Sequence, residues 1–144
     1  MQKSSRANVN GWIHVKVSGD PYPRGFSYGY MIAQEFADAW RVYSAMTYES
    51  YGMTLDFFNQ LGVKLHKSMI PQEYMEELQG ITDGLTKGGV LNLTIDDVIG
   101  FNDNMEMTGY YWPTIQSQYG VAKPPGKKKK SKKIKKLKKK FDQK

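Results

Sequence analysis

The chain has 144 residues, which fits one domain at most. Its formal net charge of +7 is unevenly distributed, because residues 123–144 contain 13 Lys and one acid, whereas residues 1–122 carry a net negative charge. The absence of Cys excludes disulfides and thiolate metal sites within the chain, and no apolar run reaches the length of a membrane span.

The first ten residues do not resemble a secretory leader, because they contain no apolar central region. If Met1 is the natural start, we expect a cytoplasmic protein. If a signal peptide has been removed, a lysosomal or secreted protein is expected instead. The N-terminal sequence does not separate these two alternatives.

The first predicted element is a β-strand over residues 12–17. Ile13, Val15 and Val17 alternate with polar or aromatic neighbours, and a period of two with β-branched residues is typical of a strand. The turn-forming residues 18–23 end it. No other segment gives a good strand pattern, so the edges of this one must be covered by a sheet from another chain.

A long amphipathic helix is predicted next, over residues 24–48, where apolar residues recur at three- and four-residue steps. Gly25 and Gly29 weaken its beginning by about 1 kcal/mol each relative to Ala. We therefore expect another stretch of backbone to pack against these two glycines.

Three further helices have recognisable starts. Thr54 is a suitable N-cap for the second helix, and Pro71 suits the first turn of the third, which Gly88 and Gly89 end. Thr94, followed three residues later by Asp97, predicts a capping box for the fourth. Residues 109–120 are aromatic and rich in turn formers, and are predicted to be a loop or a short extended piece.

The chain is therefore divided into a body, residues 1–122, and a lysine-rich tail, residues 123–144. Like charges at this density predict a flexible linker. On a helix, however, Ile134, Leu137 and Phe141 would form a thin apolar stripe suited to an anionic membrane or a calmodulin-like partner. Without Arg and with a single aromatic ring, the tail is not expected to recognise a specific nucleic acid, although non-specific attraction to anions is expected.

Three motifs follow one another at characteristic distances. They lie within residues 19–29, 77–84 and 96–106. In chain order they comprise Gly19, Pro21, Tyr22, Pro23, Arg24, Gly25, Phe26 and Gly29; then Glu77, Leu78, Gly80, Ile81, Thr82, Asp83 and Gly84; and then Asp96, Asp97, Val98, Ile99, Phe101, Asn102 and Glu106. Together they resemble the leading part of the acyl-coenzyme A:isopenicillin-N acyltransferase-like family of autoproteolytic, N-terminal nucleophile hydrolases. Pro23 departs from this family, which usually has Glu or Asp there.

The resemblance, which covers about residues 11–110, implies a fold and a role. The fold would be α/β, with this chain forming part of a four-layer αββα hydrolase and being mostly helical with one N-terminal strand. The chain would be the α subunit that precedes the self-cleavage site. The cut would follow Lys144, and the β chain of the same precursor would begin with the nucleophile, so no catalytic residue is expected in this chain.

The resemblance also implies a reaction class. An enzyme of this type would be an amidase or acyltransferase that needs no cofactor and acts on an amide or ester bond of a lipid-like or acyl-amino-acid substrate. The wider superfamily includes phospholipase B-like proteins and acid ceramidase-like amidases. The alternative is a non-enzymatic helical module whose polylysine tail binds an anionic membrane or nucleic acid.

Several residues are candidates for one wall of the substrate pocket. Those near the expected cleavage side are Asn102, Glu106, Tyr110, Tyr111 and Trp112. Aromatic rings suit an apolar ligand, whereas ordinary packing explains them equally, and Asn102 and Glu106 could instead be capping or surface residues.

Arg24, Asn92 and the histidines each have a plain structural interpretation. Arg24 either anchors a carboxylate of the partner chain or forms a structural ion pair near a helix start, and the ion pair is favoured. Asn92 begins an Asn-Leu-Thr glycosylation sequence, but its Thr94 already serves as a helix cap. His14 and His66 stand alone in the sequence, so no metal site is predicted.

Overall fold

A computed structural model describes residues 4–119. It contains strands β1 (Ser5–Val9) and β2 (Trp12–Lys16), followed by helices α1 (Pro21–Met31), α2 (Ala33–Tyr51), α3 (Leu55–His66), α4 (Gln72–Lys87), α5 (Ile95–Asn102) and α6 (Trp112–Tyr119). A short 3₁₀ turn, Lys67–Met69, follows α3, and a π-helical turn, Glu106–Tyr110, precedes α6. The chain is thus mostly helical with a small antiparallel sheet, as a mixed α/β chain should be. The predicted tail, its boundary at residue 122 and the expected cleavage position Lys144 lie outside the described residues.

The N-terminal strand is not single, so that prediction was wrong. β1 and β2 form an antiparallel hairpin in which Val9 lies opposite Trp12. Asn10 and Gly11 connect them with φ values of 51° and 84°. Two central residues with positive φ are the signature of a type I′ turn, whose twist matches that of the strands it joins.

Arg6 joins the hairpin to the helices through hydrogen bonds. Arg6 of β1 donates hydrogen bonds to the backbone oxygen of Met31 and to Oε1 of Glu35. All residues of β1 are exposed, and in β2 only Val15 is half-buried. Since a two-stranded hairpin is marginally stable by itself, this one depends on further packing.

The predicted long helix is divided in two at Ile32. This residue has φ −108° and ψ 10°, outside the α-helical values, so α1 ends at Met31 and α2 begins at Ala33. The Ile32 N–H still donates to the Tyr28 oxygen, and the Ile32 oxygen still accepts from a residue in α2. These helical hydrogen bonds therefore continue across the break, as does the apolar periodicity of the sequence.

Helices α1 and α4 pack with their backbones in contact, as the glycines of α1 predicted. A Cβ atom on Gly25 would lie 2.1 Å from the backbone oxygen of Glu77, and one on Gly29 would lie 2.2 Å from that of Ile81. Gly25 faces Glu77 and Gly29, one turn later in α1, faces Ile81, one turn later in α4. The two helices therefore run parallel. Two glycines of α4 are equally close to the α1 backbone: Gly80 and Gly84. No side chain larger than hydrogen fits at these four positions without separating the helices.

The predicted caps are present. Thr54 accepts a hydrogen bond from the Phe57 N–H at 3.2 Å, and Thr94 and Asp97 form a reciprocal capping box at the start of α5. The predicted loop at residues 109–120 was wrong where it covers α6. Pro113 lies in the first turn of that helix, a position where its missing N–H costs little.

Most of the buried apolar residues within residues 4–119 belong to two clusters. One lies among α2, α4 and α5 and contains Ala33, Phe36, Leu85 and Val98. The other lies among α3, the π-helical turn and α6 and contains Phe58, Met107 and Ile115. Leu78 and Ile81 of α4, which pack against the first cluster, also line the clefts described next.

Candidate functional site

A cleft of about 450 Å³ opens between α4 and α5, beside the turn that follows α3. Its apolar lining consists of Met69, Ile70, Pro71, Leu78, Ile81 and Ile99. Its polar lining consists of His66, Tyr74, Glu77, Asn102 and Asp103. An apolar cavity of this size with a few polar groups is typical of a site for a small molecule.

The end of α3 and the end of α5 bring His66 and Asp103 together. Nδ1 of His66 lies 2.9 Å from Oδ2 of Asp103, and the two side chains are 25% and 19% exposed. The helices approach closely because α3 has Gly62 here, where a Cβ atom would lie 2.9 Å from that of Asp103. A carboxylate at Nδ1 favours the proton on that nitrogen, which leaves Nε2 as an acceptor while the ring is neutral.

An ion pair forms another part of the wall. Nε and Nη2 of Arg24 donate to the two carboxylate oxygens of Glu77, at 3.0 and 2.6 Å. The hydrogen bonds from Arg24 lower the pKa of Glu77, and the hydrogen bonds to Glu77 raise the pKa of Arg24. Arg24 therefore forms an ion pair with Glu77 within the chain, as the favoured interpretation of this residue expects.

A second cleft of about 330 Å³ adjoins the first and shares Leu78, Ile81 and Asn102 with it. Glu35 also lines the second cleft, and one of its carboxylate oxygens accepts a hydrogen bond from Arg6. The other oxygen, Oε2, is buried and has no hydrogen-bond partner within residues 4–119. The two clefts are therefore neighbours along α4 and α5, and each includes at least one carboxylate in its lining.

The predicted pocket residues do not form one wall. Asn102 lines both clefts, whereas Glu106 and Tyr110 are exposed, Tyr110 by 81%. The Tyr111 ring lies 6.3 Å from that of His66, so it is adjacent to the first cleft. Trp112 packs instead against the second apolar cluster, with its ring centroid 4.7 Å from that of Tyr51.

His66 and Asp103 were not identified as a pair from the sequence. They are 37 residues apart, and no spacing rule connects them. Gly62 gave the only signal, since a glycine within a helix often marks a close approach of another element. The sequence does not show which element approaches Gly62, because this depends on how α3 packs on α5.

The surroundings of Asn92 are compatible with both interpretations of this sequence, glycosylation at Asn92 and helix capping by Thr94. Asn92 is exposed, has φ 56° and lies in the turn between α4 and α5. The Thr94 hydroxyl donates to Asp97 and accepts from its N–H, so the capping role is confirmed. Glycosylation at Asn92 stays a prediction.

Residues 4–119 contain no group of three His, Asp or Glu side chains placed to bind a metal ion. Within the same range, no helix is both long enough and apolar enough to cross a bilayer. No family model matches the chain, and no match was found among curated proteins or solved structures. The family resemblance therefore depends on the motif residues alone.

Proposed function

We propose that this chain is the α subunit of an N-terminal nucleophile hydrolase with a four-layer αββα fold. The nucleophile and the larger part of the sheet belong to a β chain cut from the same precursor. The enzyme hydrolyses, or transfers the acyl group from, an amide or ester bond of a lipid-like or acyl-amino-acid substrate.

The observation that carries the proposal is the exposed hairpin. Its apolar side chains Val9, Trp12 and Ile13 are 46%, 75% and 42% exposed. The hairpin also has two outer edges whose N–H and C=O groups have no neighbouring strand within residues 4–119. A partner that extends this sheet and covers the apolar side chains would remove both costs.

The packing of the motif residues also supports the proposal. The first motif contributes Arg24 and the glycines of α1, and the second contributes Glu77 and the glycines of α4. These groups meet in one interface, although they are more than fifty positions apart in the chain. A chain that forms this interface must therefore contain both motifs, and the resemblance depends on their occurring together.

The chemistry would be divided between the two chains. A nucleophile at a chain start has its own base, the free α-amino group, whose unperturbed pKa is about 7.7–8.0. That amine removes the proton from the nucleophile, and hydrogen-bond donors stabilise the oxyanion that forms at the carbonyl. The α chain would supply structural support and one side of the substrate pocket, near Asn102.

The direct test is intact-mass analysis and N-terminal sequencing of the natural protein, purified without denaturant. We expect a companion chain that begins with Cys, Ser or Thr and is encoded by the same precursor. A chain without a companion that melts cooperatively as a monomer would refute the proposal. That result would favour the alternative, a helical module tethered by its basic tail.

A second test measures the contribution of the hairpin to association. Trp12→Ser removes the largest exposed ring of the hairpin, and a buried Trp at an interface commonly contributes about 2 kcal/mol or more. We expect the companion chain to bind about thirtyfold more weakly. Leu91→Ser is the matched control, because Leu91 is 77% exposed but lies in the turn between α4 and α5. Equal effects of the two substitutions would argue against docking through the hairpin.

A further inference from the structure

We propose that the cleft beside His66 binds an uncharged amphiphile, namely an aliphatic alcohol. Its hydroxyl donates to Nε2 of His66, and its chain lies against the apolar side chains of α4 and α5. This binding site does not depend on the proposed function, because described residues of this chain form all of its lining.

The polar end of the site is defined by the His66–Asp103 pair. Asp103 occupies Nδ1, and within residues 4–119 nothing forms a hydrogen bond with Nε2. Asn102 also lines the cleft, and its amide can donate to an oxygen of the ligand or accept from it. A hydroxyl group can both donate and accept, so it can satisfy His66 and Asn102 together.

The charge of the lining disfavours an anionic head group. The carboxylate of Glu77 is paired with Arg24, whereas the carboxylate of Asp103 lies 2.9 Å from Nδ1 of His66. The polar end of the cleft therefore already contains one carboxylate, that of Asp103. A fatty-acid carboxylate would place a second negative charge beside Asp103 and offer no proton to Nε2, so an alcohol should bind better than the acid of the same length.

The apolar part of the cleft suits an aliphatic chain. Leu78, Ile81 and Ile99 belong to neighbouring turns of α4 and α5 and are joined at the mouth by Met69, which is 67% exposed. Burying a chain here removes apolar surface of both ligand and protein from water, at about 25 cal/mol for each Å². The volume of about 450 Å³ is large enough for a medium-length aliphatic chain.

The test is equilibrium dialysis of radiolabelled octanol against the natural protein, purified with any companion chain that accompanies it. We expect saturable binding to one site and binding of octanoate at least about tenfold weaker. His66→Phe keeps an aromatic side chain but removes the acceptor, and losing one such hydrogen bond should weaken octanol binding about three- to tenfold. His14→Phe is the matched control, because His14 is the other histidine of the chain and is exposed on the hairpin.

A second substitution, Asn102→Ala, protects the test against misfolding of His66→Phe. Asn102 is exposed, so its truncation should leave the circular dichroism spectrum unchanged while weakening octanol binding. Three results would each overturn the inference. They are the absence of saturable octanol binding, octanoate binding as tight as that of octanol, and variants at His66 and Asn102 that both bind like His14→Phe.

Discussion

The contact between α1 and α4 allows one substitution to be predicted in detail. Gly29→Ala would place a methyl group 2.2 Å from the backbone oxygen of Ile81 and 3.0 Å from its Cα. These are backbone atoms of another helix, so no side-chain rotation can relieve the overlap. The two helices would have to separate by about 1 Å, and a gap of that size removes up to about half of the attraction between facing atoms.

The expected cost follows from two opposing terms. Overpacking of a well-packed contact destabilises by about 1–3 kcal/mol, and a backbone obstacle places this position at the upper end. Replacing a helical Gly with Ala contributes at most about 1 kcal/mol in the other direction. We therefore expect a net loss of about 2 kcal/mol in the free energy of unfolding.

The measurement is urea unfolding of the natural protein, followed by far-ultraviolet circular dichroism. With a urea dependence of about 2 kcal/mol per molar, the midpoint should fall by about 1 M. Gly109→Ala is the matched control, because a Cβ atom there meets nothing within 4 Å, and it should be neutral or slightly stabilising. If Gly29→Ala unfolds at the same urea concentration as Gly109→Ala, the backbone contact between α1 and α4 does not exist as described.

Three further predictions test other parts of the fold. Thr94→Ala removes the cap of α5 and should cost about 1 kcal/mol in urea unfolding, whereas Thr94→Ser should restore most of it; an unchanged midpoint for Thr94→Ala would contradict the capping box. The pKa of Glu77 in the folded protein lies below the ordinary 4.5, so its charge stabilises the fold above that pH, and this contribution is lost as the pH falls through the folded pKa. In acid titrations, the stability difference between wild type and Glu77→Gln should therefore shrink below pH 4.5. A difference that stays constant with pH would exclude the ion pair as its cause. Gly11→Ala places a side chain at φ 84° and should destabilise the hairpin by about 1 kcal/mol relative to Gly11→Asn, because Asn tolerates that conformation better. NMR chemical shifts of β1 and β2 measure the population of the hairpin in each variant. Equal hairpin populations in the two variants would contradict the positive φ at residue 11.

The helix starts could be predicted because they depend on neighbouring residues. Thr54, Thr94 and Asp97 satisfy orphan N–H groups within three positions of themselves, so their pattern is readable in the chain. The glycines Gly25 and Gly29 predicted a close backbone contact for the same kind of reason, since their cost to a helix needs a compensating approach. The sequence did not reveal that α4 makes this approach.

The hairpin was missed although its turn has a strong local signal. Asn10–Gly11 between two extended segments favours a type I′ turn, but β1 has little apolar alternation because both of its faces are exposed. The break at Ile32 left no signal, because neither proline nor glycine causes it and the apolar period continues. The loop predicted over α6 was wrong because a proline suggests a turn, whereas Pro113 lies in the first turn of this helix.

The candidate site could be predicted only in part. Asn102 was identified from a motif and does line the clefts. His66 and Asp103 become neighbours through the crossing of α3 and α5, which depends on packing at Gly62 rather than on any local pattern. Groups that are joined only by tertiary packing are the part of a site that a single sequence hides.

The pairing of α1 with α4 has a consequence for biosynthesis. During translation, α1 is complete long before Gly80 and Gly84 leave the ribosome, and at about 5–20 residues per second the delay is on the order of seconds. Throughout that interval α1 cannot form its backbone contact with α4, because α4 has not yet been made. Chaperones that hold nascent chains would therefore act first on α1 and the hairpin, and synonymous codons that slow elongation before α4 would prolong their exposure to aggregation.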